Sequence, residues 1–427
     1  VTTKDGWKRV DAIKEGEEIT TVLGSGIVDK VETYENKPVF KVRLSDGAEL
    51  RATAAHQFHA IKHADRAKNS ANKRFSPLSL AELEIGDMVR IAPALMPENK
   101  VPGLPEGWSE KDYGFFMGIL LGDGCITEKI LSRNVVKIAV NTSETEWVSI
   151  VRKTLERTGS KTISLDAAVG SYSANLTMRG INGTALMVRQ SLLIPSYSFE
   201  KKIPLEYQNT NRRFLAGILD GLFSTDGNID LSSNHPFLRF KTTSQQLALN
   251  IRRILLCFGI HGRIMTIKKV ADGHIGDRVI VSKHQQYEII ISGAGMKTFA
   301  EKVGLSHPDK SKRLKTAQQE FALTGNTWLA RILSIEPDGI EKVYDLHEPI
   351  SDTWIAEGVV SRGCGEQPLG AWAVCNLGAM NLAAYVKNGK FDYENFGLDV
   401  KVALRFLDNV IDQTYYFFKE NEKCAKD

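Results

Sequence analysis

The 427-residue sequence predicts a multi-domain protein in which an all-β domain is split by an α+β insertion of two similar halves. Segments with alternating apolar and polar residues occupy residues 1–95 and recur at 325–363. A stretch with four prolines, "PALMPENKVPGLPEGWSEKD", follows the first of them and is typical of a domain boundary. Inside the insertion, an apolar helical pattern that ends in Asp-Gly occurs twice, which predicts an internal repeat.

The composition, 42% hydrophobic and 25% charged with a net charge of +4, is that of an ordinary soluble chain. The sequence contains neither a run of 18 apolar residues nor a signal-like start, so we expect no membrane association. Its five cysteines are scattered, which disfavours a disulfide framework and favours a cytoplasmic location. Basic clusters such as "NRR", "IRR" and "DKSKRLK" make nucleic acid a candidate partner.

The first β-rich segment, residues 1–95, is predicted from two alternating runs that flank "SDG" in "KPVFKVRLSDGAELRATAAHQFHA". A helical turn and a further strand follow in "LSLAELEIGDMVRI". Similar strand patterns return in "WLARILSIEPDGIEKVYDLHEP" and "TWIAEGVVS", within residues 325–363. We therefore expect these two segments to form one β domain. A linker at 96–111 and the insertion that follows it separate the two segments.

The insertion, residues 112–310, contains "FMGILLGDG" at 116–124 and "LDGLFSTDG" at 219–227, whose aspartates are 103 positions apart. After each motif comes a strand-like run that ends in Thr-Ser and then an amphipathic helix that ends near a glycine. We therefore expect two halves, at about 112–195 and 205–300, built on the same plan.

The glycines within the two motifs predict how their helices meet. Gly118 and Gly221 lack side chains, so the two helices can approach closely and bring Asp123 and Asp226 together at their ends. Two adjacent carboxylates form a site for Mg²⁺, which prefers oxygen ligands and promotes phosphodiester cleavage. A single Asp-Gly is better interpreted as a helix-ending turn, but two copies within a repeat disfavour that reading.

At these residues the insertion resembles a LAGLIDADG homing endonuclease of the single-chain, two-motif (DOD) type. The resemblance implies that Asp123 and Asp226 are the catalytic metal ligands, that the cofactor is Mg²⁺, and that a monomer cuts double-stranded DNA. It also identifies Lys201 in "FEKKIP", with Lys202 beside it, and Lys241 in "RFKTTS" as catalytic lysines or phosphate contacts.

A nuclease inserted in a split β domain resembles an intein with a horseshoe-like Hint splicing domain. "AELRATAAHQFHA" resembles its second splicing motif, and Thr53 and His56 have the Thr-x-x-His spacing. His56 would protonate the departing amide nitrogen while Thr53 steadies the oxyanion. "KVYDLHEP" places Asp345 where an aspartate of the family assists the later steps.

The last segment, 364–427, begins with "CGEQPLGAWAVCNLGAMNLAAYV" and resembles the active-site region of an adenosylcobalamin-dependent ribonucleotide reductase. The resemblance implies a helical host fragment in which Cys364 carries the thiyl radical, after serving as the splicing nucleophile. Glu366 would be the carboxylate two positions on, and Cys375 one of the redox pair. Adenosylcobalamin belongs only to the complete host, because this fragment is too short to act as a reductase.

Two departures from the intein pattern lie at the splice junctions. The chain starts at Val1 without the first nucleophile, so we expect truncation and a missing N-extein partner. The usual terminal His-Asn is replaced by Arg362 and Gly363, and glycine has no side chain that could cyclise. The histidine of the motif after Asp345 is replaced by Asp352, with His347 as the nearby alternative. We therefore expect a precursor to reach the branched thioester and to release it slowly or by a different route.

The alternative function is a DNA-binding remnant that is cleavage-dead or splicing-impaired. A remnant would keep the DNA-binding surface but would not need both Asp123 and Asp226, whose retention favours an active nuclease. The resemblance implies that the DNA target is the intein-free host allele around the codon for Cys364.

Overall fold

The computed structural model describes the chain except residues 67–74, 126–134, 160–161, 168–171, 180–196, 268–272, 276–277, 281–283, 326–327, 364–375, 388, 417–418 and 427. It contains two compact units, Val1–Gly363 and Cys364–Asp427.

The described strands are β1 (Thr2–Thr3), β2 (Gly6–Trp7), β3 (Glu18–Thr21), β4 (Gly24–Ile27), β5 (Lys30–Leu44), β6 (Glu49–Ala52), β7 (Gln57–Ile61), β8 (Ser76–Ser79), β9 (Met88–Arg90), β10 (Gly124–Cys125), β11 (Val135–Asn141), β12 (Thr162–Ala167), β13 (Ser173–Arg179), β14 (Gly227–Asp230), β15 (Phe237–Thr242), β16 (Arg263–Ile267), β17 (Gly273–Ile275), β18 (Arg278–Ile280), β19 (Gln286–Ser292), β20 (Leu329–His347), β21 (Thr353–Ala356), β22 (Val359–Arg362), β23 (Val386–Lys387) and β24 (Lys390–Phe391). The described α-helices are α1 (His63–Arg66), α2 (Glu110–Gly122), α3 (Thr145–Glu156), α4 (Leu205–Gln208), α5 (Arg212–Asp226), α6 (Gln245–Cys257), α7 (Gly293–Lys302), α8 (Pro308–Glu320), α9 (Tyr393–Gln413) and α10 (Lys419–Lys426).

Strands from the two β-rich segments pair with one another. The long strands β5 and β20, of 15 and 19 residues, run antiparallel from Leu44↔Ile332 to Lys30↔His347. In the same eight-stranded sheet, β20 also pairs with β9 and β22 pairs with β7. A smaller sheet has the order β2-β1-β3-β4. The expected joining of sequence-distant strands into one β region is therefore present.

The residues between these strands form two halves with the same plan. Their sheets have the orders β10-β11-β13-β12 and β14-β15-β19-β16, which is first-second-fourth-third in both. A helix, α3 or α6, follows the second strand of each sheet and buries its apolar face, as the amphipathic pattern predicts. The two halves of the predicted sequence repeat thus have the same strand order and the same helix position.

The helices α2 and α5, here called the motif helices, lie at the centre of the core shared by both halves. Ser109 and Asn211 cap their N-termini by accepting hydrogen bonds from backbone N–H groups. A Cβ atom at Gly114 or Gly118 would clash with carbonyl oxygens of α5, and one at Gly217 or Gly221 with carbonyl oxygens of α2. The motif helices therefore touch backbone to backbone, as predicted from Gly118 and Gly221.

The β region and the insertion also share a buried ionic contact. Asp46, in the turn between β5 and β6, pairs with Arg252 of α6, and His261 Nε2 lies 3.1 Å from the same carboxylate oxygen. All three side chains are almost completely buried, at 0%, 1% and 2% exposure. Asn209 adds a second contact, since its side chain accepts from Trp7 N and donates to Trp7 O.

The predicted linker, 96–111, packs closely against the protein. Val101 and Trp108 are buried in the core of the insertion, and the Asn99 side chain donates to the carbonyls of Asp5 and Asn209. The β region and the insertion are therefore held together along this segment as well.

The C-terminal unit, in its described part, contains a short β23–β24 hairpin followed by α9 and α10. None of the described residues of α9 is buried, and apolar side chains such as Leu404 and Phe406 are exposed. Across the described part of the chain, no helix combines the length and the apolar character that crossing a membrane requires.

Candidate active site

Asp123 and Asp226 occupy equivalent positions at the C-terminal ends of the two motif helices. Asp123 caps α2, donating its backbone N–H to Ile119 O, and Asp226 is the last residue of α5. A Cβ at Gly124 or Gly227 would clash with the carbonyl oxygen of the preceding helical turn. The glycine of each Asp-Gly pair is thus required because the chain turns sharply into a strand directly after each carboxylate.

Both carboxyl groups have raised pKa values, mainly because they are withdrawn from water. Burial, reinforced by the negative charge of Asp226, raises the pKa of Asp123 to about 7. The Asp226 side chain reaches solvent, yet loss of water around it also raises its pKa, opposed by Lys201 and Lys310. A site that raises the pKa of adjacent carboxyl groups is poised to accept a cation.

Two lysines cap the ends of the motif helices in equivalent ways. Lys201 Nζ donates to the carbonyls of Leu121 and Gly122, both at 2.7 Å. Lys310 Nζ donates to the carbonyls of Ser224, at 2.7 Å, and Thr225, at 2.5 Å. Burial lowers the pKa of Lys310, and Asp123 and Asp226 counteract that shift. Each ammonium therefore lies at the negative end of a helix and close to the carboxylate pair.

Lys310 was not among the residues predicted from the sequence. A signal was present, because Lys201 follows Asp123 by 78 positions and Lys310 follows Asp226 by 84. The predicted Lys241 lines the pocket of Asp226, but its side chain is half exposed and its Nζ lies 3.7 Å from Glu288. Lys310 is thus the structural counterpart of Lys201, and the role of Lys241 as a catalytic lysine or a phosphate contact stays a prediction.

Each aspartate opens into its own pocket. The pocket of Asp123, of about 390 Å³, is also lined by Glu144, Trp147, His307 and Lys310. The pocket of Asp226, of about 480 Å³, is lined by Arg239 and Lys241. The two pockets share Thr225, so two similar but unequal cavities flank the carboxylate pair.

The donor set fits a hard divalent cation. Within the described residues, no group of three or more His, Cys, Asp and Glu side chains is positioned to hold a metal ion. Mg²⁺ characteristically binds one or two carboxylates and fills its other positions with water and substrate phosphate oxygens. The pair Asp123 and Asp226, open to two pockets, matches that pattern, whereas a closed structural zinc site would need four protein ligands.

The raised pKa of Asp123 predicts pH-dependent metal binding. Because the ligand must be deprotonated, Mg²⁺ competes with a proton at and below pH 7. We expect the apparent Mg²⁺ affinity to fall by about tenfold per pH unit below pH 6 and to level off above pH 8, as release of one proton requires. Isothermal titration calorimetry in buffers of different ionisation enthalpy measures the Mg²⁺ affinity and the number of protons released. A Mg²⁺ affinity independent of pH between 5 and 8 would contradict the assignment of Asp123 as a metal ligand.

Of the residues predicted for splicing, Thr53, His56 and Asp345 lie in the β region. Thr53 and His56 form a tight turn, in which His56 N donates to Thr53 O at 3.2 Å. The His56 ring packs edge-on to Phe58, at 4.8 Å, and near Trp354, at 5.6 Å. Burial lowers the pKa of His56 to about 4, so the imidazole is neutral at pH 7 and must gain a proton before it can protonate a leaving group.

Gly363, at the predicted junction, lies beside two carboxylates. A Cβ at Gly363 would come within 3.1 Å of Asp352 Oδ1 and 3.5 Å of Asp345 Oδ1. The Asp352 carboxylate accepts from Arg362 Nε at 2.9 Å, so the two residues that replace the expected histidines pair with each other. His347 instead contacts Asp29, at 2.6 Å. Cys364, Glu366 and Cys375 lie outside the described residues.

Comparison with known proteins identifies the second half of the insertion. The family described as "LAGLIDADG-like domain" matches residues 213–304, which include the second motif helix and Asp226. Residues 213–304 of the chain are therefore similar to a LAGLIDADG-like domain. The resemblance to a LAGLIDADG element in a ribonucleotide reductase host is confirmed by this match together with the reductase relatives.

The chain containing this LAGLIDADG-like domain is 25% identical over 434 residues to the ribonucleoside-diphosphate reductase NrdEB subunit alpha of Bacillus subtilis strain 168, with 92% of the chain covered. It spans 37% of the length of that relative. A vitamin B12-dependent ribonucleoside-diphosphate reductase of Mycobacterium tuberculosis is 43% identical over 63 residues, which is 15% of the chain and 9% of the relative. A structure of the homing endonuclease I-DmoI aligns with 15% identity and a TM-score of 0.33, covering 48% of the chain and 98% of the endonuclease.

Proposed function

We propose that the chain is an intein-type element that carries a site-specific, magnesium-dependent endonuclease for double-stranded DNA. One observation carries the proposal: two helices packed backbone to backbone end in adjacent carboxylates, each beside a lysine that caps a helix end. A helix-ending turn would explain one Asp-Gly, but not the raised pKa of Asp123 or the paired lysines.

Asp123 and Asp226 would hold the magnesium. When bound, it supplies charge stabilisation for the attacking and leaving oxygens of a phosphodiester. The backbone contact of the two helices at their glycines sets the positions of the two carboxylates and thereby of the site. Lys201 and Lys310 place positive charge where negative charge develops on the phosphate.

The DNA would lie across the two sheets. Along β15 the buried side chains of Leu238 and Phe240 alternate with those of Arg239 and Lys241, which face away from the core. On β16, which lies on the other side of β19 in the same sheet, Arg263 and Met265 are exposed. Basic side chains along an outward sheet face suit phosphate contacts that position a duplex.

The proposal is tested by incubating the purified chain with MgCl₂ and a linear DNA duplex. The duplex carries the host coding sequence without the codons for residues 1–363. We expect double-strand cleavage near the deletion point, no cleavage in EDTA, and no cleavage of a duplex that still contains the insertion. Binding without cleavage in Mg²⁺ or Mn²⁺ would instead support the DNA-binding remnant.

The lysine assignment gives a separate prediction. We expect Lys201→Met and Lys310→Met each to lower the single-turnover cleavage rate by roughly 10²–10³-fold, because each removes a preorganised positive charge. Lys241→Met should mainly weaken DNA binding, most strongly at low salt, and should reduce the salt dependence of binding, since a half-exposed lysine acts through phosphate contact. A larger rate loss for Lys241→Met than for Lys310→Met would reverse the assignment.

We further propose that the β region is a Hint-type splicing domain in a reductase host. The contacts of Thr53 and His56, and the position of Gly363 beside Asp345 and Asp352, support it. The 63-residue likeness to a B12-dependent reductase matches the length of the unit 364–427 and supports its assignment as host sequence.

Splicing should stop before its last step. A precursor that includes an N-extein and a cysteine before Val1 is expected to accumulate branched thioester, because Gly363 has no amide to cyclise. Changing Arg362→His and Gly363→Asn together, with Asp352→His to remove the carboxylate that holds Arg362, should increase ligated product. Intact-protein mass spectrometry measures both species, and efficient ligation by the unmodified precursor would refute the expected arrest.

A further inference from the structure

The second motif helix contains a buried carboxylate that the proposed cleavage site does not use. Asp220 is 2% exposed and lies before Asp226 in α5. The equivalent position of the first motif helix, 103 residues earlier, is Met117, which is also buried. The two helices therefore differ in chemistry at this level, with a carboxylate in the second half and an apolar side chain in the first.

Asp220 accepts three hydrogen bonds, two from Ser306 and one from Ser224 of its own helix. Its Oδ1 accepts from Ser306 N at 2.7 Å and from Ser224 Oγ at 2.9 Å, and its Oδ2 accepts from Ser306 Oγ at 2.6 Å. Ser224 Oγ in turn accepts from His307 N at 3.2 Å. Burying a carboxylate is costly unless donors surround it, and here the donors come from Ser224 and the turn at 306–307.

That turn begins the helix that carries Lys310. Helix α8 starts at Pro308, and Lys310 on its first turn reaches the end of the second motif helix. From the other half, Trp147 stacks on His307 at 4.9 Å and Glu144 Oε2 lies 3.5 Å from His307 Nε2. Asp220 is thus the anchor of this turn on the helix whose C-terminus Lys310 caps.

Lys201 is held differently. Its own carbonyl accepts from Ser244 Oγ at 2.5 Å, and Ser244 is the N-cap of α6. The segment of Lys201 therefore depends on α6, and the segment of Lys310 depends on Asp220. Lys310 lines the pocket of Asp123, whereas it is absent from the lining of the Asp226 pocket, so loss of the Asp220 support would act on the pocket of Asp123.

We propose that Asp220 is a positioning residue that sets the place of Lys310 through the turn at 306–307, and that its loss impairs cleavage of one DNA strand selectively. The strand-selective part rests on the proposed nuclease function. The effect on Lys310 itself does not, and it is measurable without DNA.

The first experiment follows acetylation of Lys310 and Lys201 by mass spectrometry in the full chain, without DNA. Asp220→Leu removes the acceptor at similar size, and Ser306→Ala removes one donor with little risk to folding. We expect Lys310 to be acetylated several-fold faster in both variants while Lys201 keeps its rate. Leu219→Ala, which removes buried volume from the same helix, is the control for general loosening. Equal acceleration of both lysines, or of neither, would overturn the proposal.

The second experiment follows a supercoiled plasmid that carries the target. We expect Asp220→Leu to slow one strand by roughly 10–100-fold relative to the other, so that nicked circles accumulate, as displacement of a catalytic group predicts. Ser306→Ala should slow cleavage of the same strand by a smaller factor. Asp220→Asn should cleave that strand faster than Asp220→Leu does. Leu219→Ala should slow cleavage of both strands equally. Equal slowing of both strands by Asp220→Leu would overturn the strand-selective role. A wild-type chain that does not cut would refute the nuclease and leave the acetylation result to decide on Asp220.

Discussion

Replacing Asp123 or Asp226 with asparagine is expected to lower the cleavage rate by at least about 1000-fold, because metal stabilisation of the transition state is a matter of several kcal/mol. Asparagine keeps the size of each side chain and removes the charge that holds the cation. Single-turnover assays on the deletion-junction duplex, with Mg²⁺ in excess, give the rates. DNA affinity measured in Ca²⁺ should change little, since the basic sheet faces are untouched.

Asp123→Asn is also expected to change the pH dependence of the stability of the protein. Asp123 has a pKa near 7, so in the metal-free protein its ionised form is disfavoured, and the stability linked to its protonated form is lost as pH rises through 7. Asp123→Asn should therefore raise the melting temperature at pH 8 more than at pH 5 while abolishing activity. Near-wild-type cleavage by either variant would contradict the metal-site assignment.

Breaking the buried pair of Asp46 and Arg252 is expected to cost about 3–5 kcal/mol of unfolding free energy, because one partner stays charged in the core without its counter-charge. Asp46→Ala and Arg252→Ala should show the same loss in urea denaturation. Arg51→Met, which breaks an exposed pair with Asp338, should cost less than about 1 kcal/mol and serves as the control. A loss below 1 kcal/mol for both buried variants would contradict the expectation.

The pH dependence of this effect follows from the charges around Asp46. Burial alone would raise its pKa, but Arg252 and His261 outweigh that effect and hold the pKa below its usual range. The stabilisation is therefore complete above the ordinary carboxyl pKa of about 3.9 and declines only as pH falls below it. The wild-type advantage over Asp46→Ala should be constant from pH 6 to 8 and should shrink in strong acid.

The features of the site that were predictable from the sequence all have a local signal. The spacing of Gly118 and Gly221 within apolar helices predicted the helix contact, and the repeat placed Asp123 and Asp226 at equivalent ends. Alternating patterns at both ends of the chain predicted a shared β region. In each case the spacing of apolar residues along the sequence reflects which side chains are buried in the fold.

The features that were missed depend on contacts between distant residues. Lys310 looks like one more lysine in a basic cluster, and only the folded chain places it on the carbonyls of Ser224 and Thr225. Asp46 and Arg252 are 206 positions apart, and neither residue type indicates burial by itself. Asp220 differs from the apolar residues around it, but its partner Ser306 lies 86 positions away.

In the proposed nuclease, the glycine contact between the motif helices determines the distance between the cuts on the two DNA strands. Because four glycines place peptide backbone against peptide backbone, the gap between the carboxylates is set by the thickness of the main chain rather than by side chains that can be exchanged. For a nuclease of this design, the stagger between the two cuts is then a property of the helix pair. Substitutions on the sheets could retarget the enzyme to new sequences, whereas the length of the overhang would stay the same.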